Sequence, residues 1–387
     1  MLQSVIVYST VSLLLCFLGW HINRREQLLQ TKDPSAQLPF WSWEIVVSIM
    51  IVTLMMGLRF KTGSDYEMYL NQYNSVKETG EFARGDLEPG FYLVTKLFVA
   101  AGIHYAFYFA FWAFIQISAL YFGLRHHKHL LPWVGMILIL GPYGFNWISF
   151  MRQWTVALVL VAMIPLIEKR RFIPYLVITL VAMTIHRSAW LLLVIYFLSF
   201  IKLKDDSPKV PLIVFGICVI LGIYPIWFKL FRFVPDLLDI IGYHKYGHHL
   251  VDVMNGDFRN IGWGPLHLIS LFSSILFICY YPKIKIHFND DNSLPVIYNL
   301  AFVGTCYENL VMNTYHAMLR PAEYLYIFII IMLAYTFSYI LQKKLYIQII
   351  LFSLIIVSYS LIVHFKAVSG INLSDSSFFY NFIFCIV

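Results

Sequence analysis

The chain has 387 residues, of which 60% are hydrophobic and 13% are charged, and its mean hydropathy is +0.71. Soluble domains contain roughly 45–50% apolar and about 25% charged residues, so a soluble fold could not cover this much apolar surface. The five cysteines show no paired spacing, which argues against a disulfide framework or a structural zinc site. The net charge of +7 is spread over small clusters, which argues against nucleic-acid binding.

The hydropathy pattern predicts an all-α, polytopic integral membrane protein. A membrane span needs about 20 apolar residues. Twelve candidate spans lie at 4–22, 41–58, 104–124, 130–149, 152–167, 172–186, 188–201, 210–230, 265–282, 294–312, 321–341 and 345–365. The segment 88–102 is too short and interrupted to span, and we interpret it as an interfacial or re-entrant helix. No repeat or low-complexity tract divides the sequence, so residues 1–387 are expected to form a single membrane domain.

The basic loops predict the orientation of this domain, because short loops rich in Lys and Arg stay in the cytoplasm. Six basic clusters fall at alternate loops when 88–102 does not span, which places both termini outside. These clusters lie at 24–32, 125–128, 169–171, 202–209, 283–285 and 343–344. Two longer outer loops result, at 59–103 and 231–264. The second has a roughly helical apolar pattern that indicates a surface helix or a lid.

Several arginines remain on the outer side, where the topology rule disfavours them. An arginine at membrane depth normally faces a cavity or a partner, and a guanidinium binds phosphate oxygens in a bidentate fork. A single arginine near a span end can instead simply reach the lipid headgroups. As a set they predict a site for a membrane-associated anion such as a lipid-linked pyrophosphate. The outer arginines are Arg59, Arg152, Arg187, Arg232, Arg259 and Arg320.

Two residues on the outer side are candidates for acid–base chemistry. Asp65 follows Arg59 by six residues, and Gly63 between them permits a tight turn. Its carboxylate is either a general base or the group that neutralises Arg59. His186 lies at the outer end of a predicted span, and the ordinary pKa of histidine suits proton transfer near neutrality. The alternative for His186 is a hydrogen-bonded residue at a helix end.

Glu323 follows Arg320 by three residues, so the two can form an ion pair on one helix face. No group of residues has the ligand set of a metal site. We therefore expect no metal ion and no other cofactor.

Four short motifs in this order resemble the EpsG family of Wzy-like polysaccharide polymerases. The run 59–69 resembles the signature R-x(3)-G-[ST]-D-Y-x-x-Y, and 151–157 resembles an L-R-Q-x-x-A helix start. Residues 185–188 resemble an F-H-x-S helix end, with Ile185 in place of the usual aromatic residue, and 320–324 resembles R-x(3)-Y. The matching side chains include Arg59, Gly63, Asp65, Tyr66, Tyr69, Arg152, Gln153, His186, Ser188, Arg320 and Tyr324.

The resemblance implies a glycosyltransferase-C-like fold and a metal-independent glycosyltransferase at the periplasmic face of a bacterial inner membrane. Such an enzyme would transfer a growing glycan from undecaprenyl pyrophosphate to the sugar hydroxyl of an incoming lipid-linked repeat unit. The product would be O-antigen of lipopolysaccharide, capsule or exopolysaccharide. The implied partners are lipid-linked oligosaccharide, membrane lipids and a protein that regulates chain length.

The resemblance and the charge pattern together suggest roles for individual residues. Arg152 would stabilise the leaving pyrophosphate, His186 would be the base, and Asp65 would orient it. The reverse assignment of His186 and Asp65 stays open, because both positions match the family pattern. Substrate-binding roles are expected for Arg59, Arg152, Gln153, Arg187, Arg320, Tyr66, Tyr69 and Glu323.

Three other functions use similar features. A flippase or exporter of lipid-linked oligosaccharide would bury cations at mid-span and show pseudo-symmetry between its halves, which this sequence does not show. A membrane O-acyltransferase would need functional groups on the inner side, where the loops carry only basic clusters. An O-antigen ligase uses the same lipid pyrophosphate donor and differs only in its acceptor.

Overall fold

The computed structural model describes residues 2–83, 87–201, 207–223, 263–314, 316–369 and 379–383, with a few single positions between 224 and 262. Within these ranges the chain is helical and forms no β-strand beyond an isolated bridge between Arg59 and Phe382. The prediction of an all-α protein is confirmed for this part of the chain. The predicted lid at 231–264 lies almost entirely outside the described residues.

The helices of the first half are α1 Leu2–Gln30, α2 Trp43–Gly57, α3 Tyr66–Thr79, α4 Pro89–Ala100, α5 Tyr105–Gly123, α6 Leu131–Leu140, α7 Gly144–Ser149 and α8 Met151–Ala162. Those of the second half are α9 Ile164–Glu168, α10 Phe172–Met183, α11 Leu191–Leu198, α12 Lys209–Ile223, α13 Pro265–His287, α14 Ser293–Val311, α15 His316–Gln342 and α16 Tyr346–Ser369. Two 3-10 turns, Lys128–Leu130 and Arg187–Trp190, precede α6 and α11.

Five of the described helices are long and apolar enough to cross a membrane. They are α1, α5, α13, the segment Met318–Gln342 of α15 and the segment Tyr346–Val363 of α16. Shorter apolar helices of 10–17 residues lie between them. Large apolar side chains on α10, α12 and α16 are exposed on the surface, as a lipid environment permits and water does not. The protein is therefore a helical membrane protein, while twelve spans and a glycosyltransferase-C-like fold remain predictions.

The segment 130–149, which hydropathy predicts as one span, is two helices. Tyr143 has a φ of 70° between α6 and α7, a value that few residues adopt inside a helix. A Cβ added to Gly144 would lie 1.9 Å from the carbonyl oxygen of Leu138, so only glycine fits where the chain turns back. The break separates a ten-residue helix from a six-residue one.

The segment 152–167 is also two helices, because Pro165 prevents α8 from continuing. At its other end α8 begins at Met151, directly after Phe150 leaves helical geometry with φ −100° and ψ 66°. Arg152 therefore lies in the first turn of a twelve-residue helix. The first turn of a helix carries the positive end of the helix dipole.

The segment 88–102 contains the twelve-residue helix α4. At 1.5 Å per residue its length is about 18 Å, and the interfacial or re-entrant interpretation of this segment stays a prediction. The backbone N–H groups of Gly90 and Phe91 donate to the carbonyl of Thr184, at 2.8 and 3.1 Å. This contact fixes the start of α4, and Glu88 before it, against the end of α10.

The helix α15 is the centre of the bundle. Of its apolar spanning window 94% is buried, and it packs against α6, α8, α13, α14 and α16. Arg320 and Tyr324 lie near its first end, and Tyr335 lies towards its other end. A helix that is apolar on all sides is typical of the interior of a membrane bundle.

The bundle has two chemically different ends. Five of the basic clusters share one end, where Lys128 pairs with the buried carboxylate of Glu26. Arg125, Lys169 and His287 line one cavity of about 490 Å³ there. We call this the basic end. The opposite end, which we call the site end, carries the motif residues, and the 19 residues of α5 put about 28 Å between the two.

Candidate active site

Glu88 is the residue on which the polar groups of the site end converge. One carboxylate oxygen, Oε2, forms an ion pair with Arg152. The other, Oε1, accepts a hydrogen bond from the backbone N–H of Arg187 at 2.7 Å and lies 3.3 Å from Nδ1 of His186. A single carboxylate at the start of α4 therefore holds the first turn of α8 and the end of α10 together. We call Glu88, Arg152 and His186 the polar cluster.

His186 is held with one ring nitrogen towards Glu88 and the other without a protein partner. It ends the helical segment of α10 in an extended conformation, with φ −149° and ψ 115°, and its side chain is 14% exposed. Both ring nitrogens are buried and make no hydrogen bond of normal geometry to the described residues, and Nδ1 is the one that faces the carboxylate. When Nδ1 carries the proton towards the carboxylate, Nε2 is left with a lone pair for a substrate proton.

The charge states of the cluster follow from its contacts. Burial raises the pKa of Glu88, but the contact with His186 and the charge of Arg152 outweigh it, and the pKa falls to about 2. Burial lowers the pKa of His186 below its ordinary value, although Glu88 opposes this shift. Near neutral pH the cluster therefore holds an ionised carboxylate and a neutral imidazole, which is the form that a base requires.

Arg152 is held by an aromatic wall as well as by Glu88. Its guanidinium carbon lies 5.2 Å from the ring centroid of Phe91 and 5.9 Å from that of Tyr69. These distances are within the range of cation–π attraction. A guanidinium has five N–H donors, and Nε has no hydrogen-bond partner among the described residues. Glu88, Phe91 and Tyr69 thus fix the orientation of the guanidinium, whose Nε is a buried donor.

Arg320 and Asp65 lie on the α15 side of the cluster. Arg320 is exposed, and its backbone carbonyl accepts a hydrogen bond from Nε2 of Gln153 at 2.5 Å. Asp65 lies at the N-cap position of α3, without a capping hydrogen bond from its side chain. It is close enough to Arg320 and Arg152 for both charges to lower its pKa, although burial raises it more. Glu323, 3% exposed, lies within electrostatic range of Arg320 and Asp65. The structure thus brings these residues to one side of Arg152.

Two other motif residues, Ser188 and Tyr324, connect the chain after His186 to α15. The hydroxyl groups of Ser188 and Tyr324 lie 2.8 Å apart in a hydrogen bond that joins the 3-10 turn after His186 to α15. Arg187 is exposed, and its backbone N–H binds Glu88. Arg232 and Arg259, the remaining outer arginines of the sequence prediction, lie outside the described residues.

Arg59 lies away from the surface of the site. It is 1% exposed, and its guanidinium donates to the carbonyl of Ile148 and lies 5.7 Å and 5.6 Å from the rings of Tyr66 and Phe109. The described C-terminal residues cover this side chain, because residues 379–383 run along 58–62 with backbone hydrogen bonds of 2.8 and 2.9 Å. The structure therefore gives Arg59 a packing position and places it apart from the polar cluster.

The turn after Arg59 has the conformation that its sequence predicts. Gly63 has a φ of 98°, and a Cβ there would lie 2.7 Å from the carbonyl oxygen of Ile148. Glycine is needed both for this backbone angle and for the close approach of the two chain segments. The turn brings Asp65 back to the site end, as expected from the sequence.

Sequence reasoning did not assign a role to Glu88. It was one of six carboxylates between 59 and 103, and nothing in its local pattern distinguishes it from the others. Its partners Arg152 and His186 are 64 and 98 residues away along the chain. A usable local signal was Pro89-Gly90, which marks a helix start and so indicates an acidic residue at a helix N-terminus.

The described part of the chain contains no group of three or more His, Cys, Asp or Glu side chains placed to hold a metal ion. A metal-independent reaction remains a prediction. The polar groups at the site end can hold an anion and accept a proton with protein side chains alone.

The fold and the site together define a helical membrane protein with a cationic, histidine-containing site at one end of its bundle. Comparison with known families adds the specific assignment: the family model described as EpsG family matches residues 42–384, so the chain belongs to the EpsG family. Membership supports a polysaccharide polymerase-type function and lipid-linked sugar substrates. No curated protein and no solved structure matches the chain.

Proposed function

We propose that this protein polymerises lipid-linked oligosaccharide repeat units at the periplasmic face of a bacterial inner membrane. It would transfer the growing glycan from undecaprenyl pyrophosphate to a sugar hydroxyl of an incoming repeat unit, in O-antigen, capsule or exopolysaccharide synthesis, without a metal ion. A chain-length regulator would be a further partner. The observation that carries the proposal is that Glu88 holds Arg152 and His186 side by side, which places an anion-binding group next to a base.

The pyrophosphate would bind against Arg152. The guanidinium has one donor, Nε, without a partner among the described residues, and the first turn of α8 adds the positive end of the helix dipole. Arg320 and Arg187 are the exposed cations nearby, and Gln153 fixes the backbone at Arg320. These positive groups would stabilise the charge that develops on the pyrophosphate as it leaves.

The reaction itself requires one proton transfer. The oxygen of the acceptor hydroxyl would form a bond to the anomeric carbon of the donor sugar, while the bond from that carbon to the pyrophosphate oxygen breaks. The pyrophosphate would leave with the electron pair, and Nε2 of His186 would take the proton of the hydroxyl. Glu88 would orient the ring and stabilise the imidazolium that forms.

The remaining motif residues would act around this core. Asp65, placed near Arg152 and Arg320, would bind sugar hydroxyls or orient the acceptor. In this proposal His186 is the base, and Glu88 rather than Asp65 orients its ring. Tyr69 and Glu323 would complete the binding surface. Arg59 and Tyr66 are assigned a packing role in this proposal, because Arg59 is buried beneath the C-terminal residues.

The proposal is tested by complementing a deletion strain and separating its surface polysaccharide as a ladder on a gel. Arg152→Gln and His186→Gln should leave only single capped repeat units, because each removes a group that acts at the reacting centre. Arg24→Gln, the same substitution at an exposed position of the basic end, should restore the full ladder. Membrane-fraction immunoblots should show equal amounts of these three variants.

Arg59→Gln, tested in the same strain, should act through stability rather than through the reaction. It leaves a buried carbonyl and a cavity where the guanidinium packs, so we expect a destabilisation of about 2–4 kcal/mol and a lower amount of protein. A normal ladder from both Arg152→Gln and His186→Gln would exclude the proposed mechanism. Loss of all surface glycan on deletion would favour a flippase or a ligase.

A further inference from the structure

An apolar groove lies directly below the polar cluster, towards the middle of the bundle. Its volume is about 220 Å³, and it is lined by α5, α8 and α10, with Val94 of α4 at one side. The helix α4 is held over this region by its contact with Thr184 at the end of α10. The groove is therefore bordered by the same three chain segments that carry Glu88, Arg152 and His186.

The groove and the cluster are continuous along two helices. On α8 the lining residues Thr155, Val156 and Val159 follow Arg152 at intervals of three, four and seven residues, which places them on one helix face below it. On α10 the lining residues continue up to Ile185, the immediate neighbour of His186. An occupant of the groove would therefore end within one helical turn of Arg152 and beside His186.

The surface that the walls offer to an occupant is hydrocarbon, because the indole nitrogen of Trp112 is buried. Thr155 is the one lining residue with a hydroxyl group; this hydroxyl donates to the carbonyl of Met151 at 2.8 Å and accepts from Gln116 at 3.0 Å. A polar ligand or a water molecule would find no partner there. From Arg152 to Val159 the helix descends about 10 Å, which is roughly a third of the hydrocarbon thickness of a bilayer.

We propose that this groove binds the first part of the prenyl chain of the lipid-linked donor while the polar cluster binds its diphosphate. This inference rests on the proposed function. A single narrow groove on the helix face below Arg152 suits one hydrocarbon chain attached directly to an anion, which a prenyl diphosphate provides. A diacyl phospholipid carries two chains on a glycerol and fits the groove less well.

The groove would orient the donor lipid rather than increase its affinity for the protein. Lipid tails are as apolar as the groove, so moving a chain from bilayer to protein gains little from the hydrophobic effect. The gain lies in a fixed direction for the bond between the diphosphate and the sugar, which determines whether the acceptor hydroxyl can reach the anomeric carbon. Filling the groove should therefore displace the donor without altering the charged groups that act on it.

The test is photolabelling of the purified full chain in phosphatidylcholine nanodiscs, with geranylgeranyl diphosphate that carries a diazirine on its first isoprene unit. We expect labelled peptides from α8 and α10, and competition by unlabelled geranylgeranyl diphosphate. Ile178→Trp, which fills the groove, should reduce this labelling at least about fivefold. The matched control Val177→Trp changes the neighbouring residue, whose side chain is 54% exposed and lies outside the groove, and should label like wild type.

Other outcomes separate the two proposals. Competed labelling outside α5, α8 and α10, or equal labelling of Ile178→Trp and Val177→Trp, overturns the groove assignment and leaves the proposed function standing. Equal labelling by a diazirine phosphatidylcholine identifies ordinary lipid as the occupant and also overturns the groove assignment. If competed labelling is absent and Arg152→Gln retains a full polysaccharide ladder, the proposed function fails. Should Ile178→Trp not fold by size-exclusion chromatography, Ala182→Phe fills the same groove.

Discussion

The ring of His186 is placed for proton transfer by a carboxylate that the sequence separates from it by 98 residues. Glu88 lies 3.3 Å from Nδ1, and Nε2 has no partner among the described residues. The carboxylate lies beside the ring in the position from which carboxylates orient catalytic histidines elsewhere. The base is therefore a pair of residues, and neither should act well without the other.

The pair of His186 and Glu88 predicts how kcat/KM changes at acidic pH. Burial lowers the pKa of His186 below the ordinary value of about 6.5, so the imidazole is neutral at pH 7 and takes a proton only as the pH falls through its own lower pKa. With purified protein and lipid-linked repeat units, kcat/KM should be constant above pH 6.5 and decline below it. His186→Gln should lose roughly 10²–10⁴-fold and show no such decline.

Glu88→Gln separates a positioning role from a merely structural one. Glu88 raises the pKa of His186, so its removal should move the decline of kcat/KM to still lower pH, and the base should become weaker. Glutamine keeps the size of the side chain and an acceptor for the N–H of Arg187. A loss of activity with an unshifted pH profile would contradict the positioning role.

Residue types and their order predicted part of the site, and contacts across the fold decided the rest. Arg152 and His186 stood out because charge at a predicted span end is unusual, and they do lie together. Arg59 carried the same signal, yet the structure buries it under residues 379–383, a segment whose placement hydropathy could not predict. The role of Glu88 depends on a helix contact that no local pattern encodes.

At the scale of elements, hydropathy located helices better than it located their ends. Periodicity and apolar content predicted α1, α5 and α13 well, since each is one uninterrupted helix. Two predicted spans instead break near Gly144 and Pro165, and both breaks have visible causes in residues that are poorly suited to helix interiors. The boundary between α7 and α8 at Phe150 matters most for function, because it puts Arg152 in the first turn of a helix.

The contact between α4 and α10 predicts an effect of a single methyl group. A Cβ on Gly90 would lie 2.3 Å from Oγ1 and 2.9 Å from the backbone oxygen of Thr184, so Gly90→Ala should push α4 away and displace Glu88. We expect activity in the purified assay to fall at least about tenfold, because a displacement near 1 Å is costly at a reacting centre. Protein amount in membranes should change little.

Gly216→Ala is the matched control for this change. Gly216 lies inside α12, and a Cβ there would meet nothing within 4 Å. Alanine in a helix interior is more favourable than glycine by roughly 0.5–1 kcal/mol, so this variant should keep full activity and a slightly higher unfolding temperature. Equal activity of the two variants would show that the start of α4 does not position Glu88.

At the scale of the whole molecule, the two ends of the bundle have different roles: the charges of one end determine the orientation in the membrane, and those of the other form the candidate active site. The basic end contains the clusters that the positive-inside rule assigns to the cytoplasm, and its charges include the buried pair of Glu26 and Lys128. The site end, about 28 Å away along α5, contains the polar cluster. Charges at a bundle end avoid the cost of ionised groups at the middle of a bilayer, and they meet the headgroup of a lipid-linked substrate at its natural depth.

This division predicts which positions a membrane-impermeant maleimide can reach. In a background without the native cysteines, Ser64→Cys at the site end should be labelled in intact spheroplasts, because the side chain is exposed and faces the periplasm in the proposed orientation. Lys169→Cys, exposed at the basic end, should be labelled only after lysis. The reverse pattern would place the site in the cytoplasm, and polymerisation at the periplasmic face would then be impossible for this chain, whereas the fold and the polar cluster would stand unchanged.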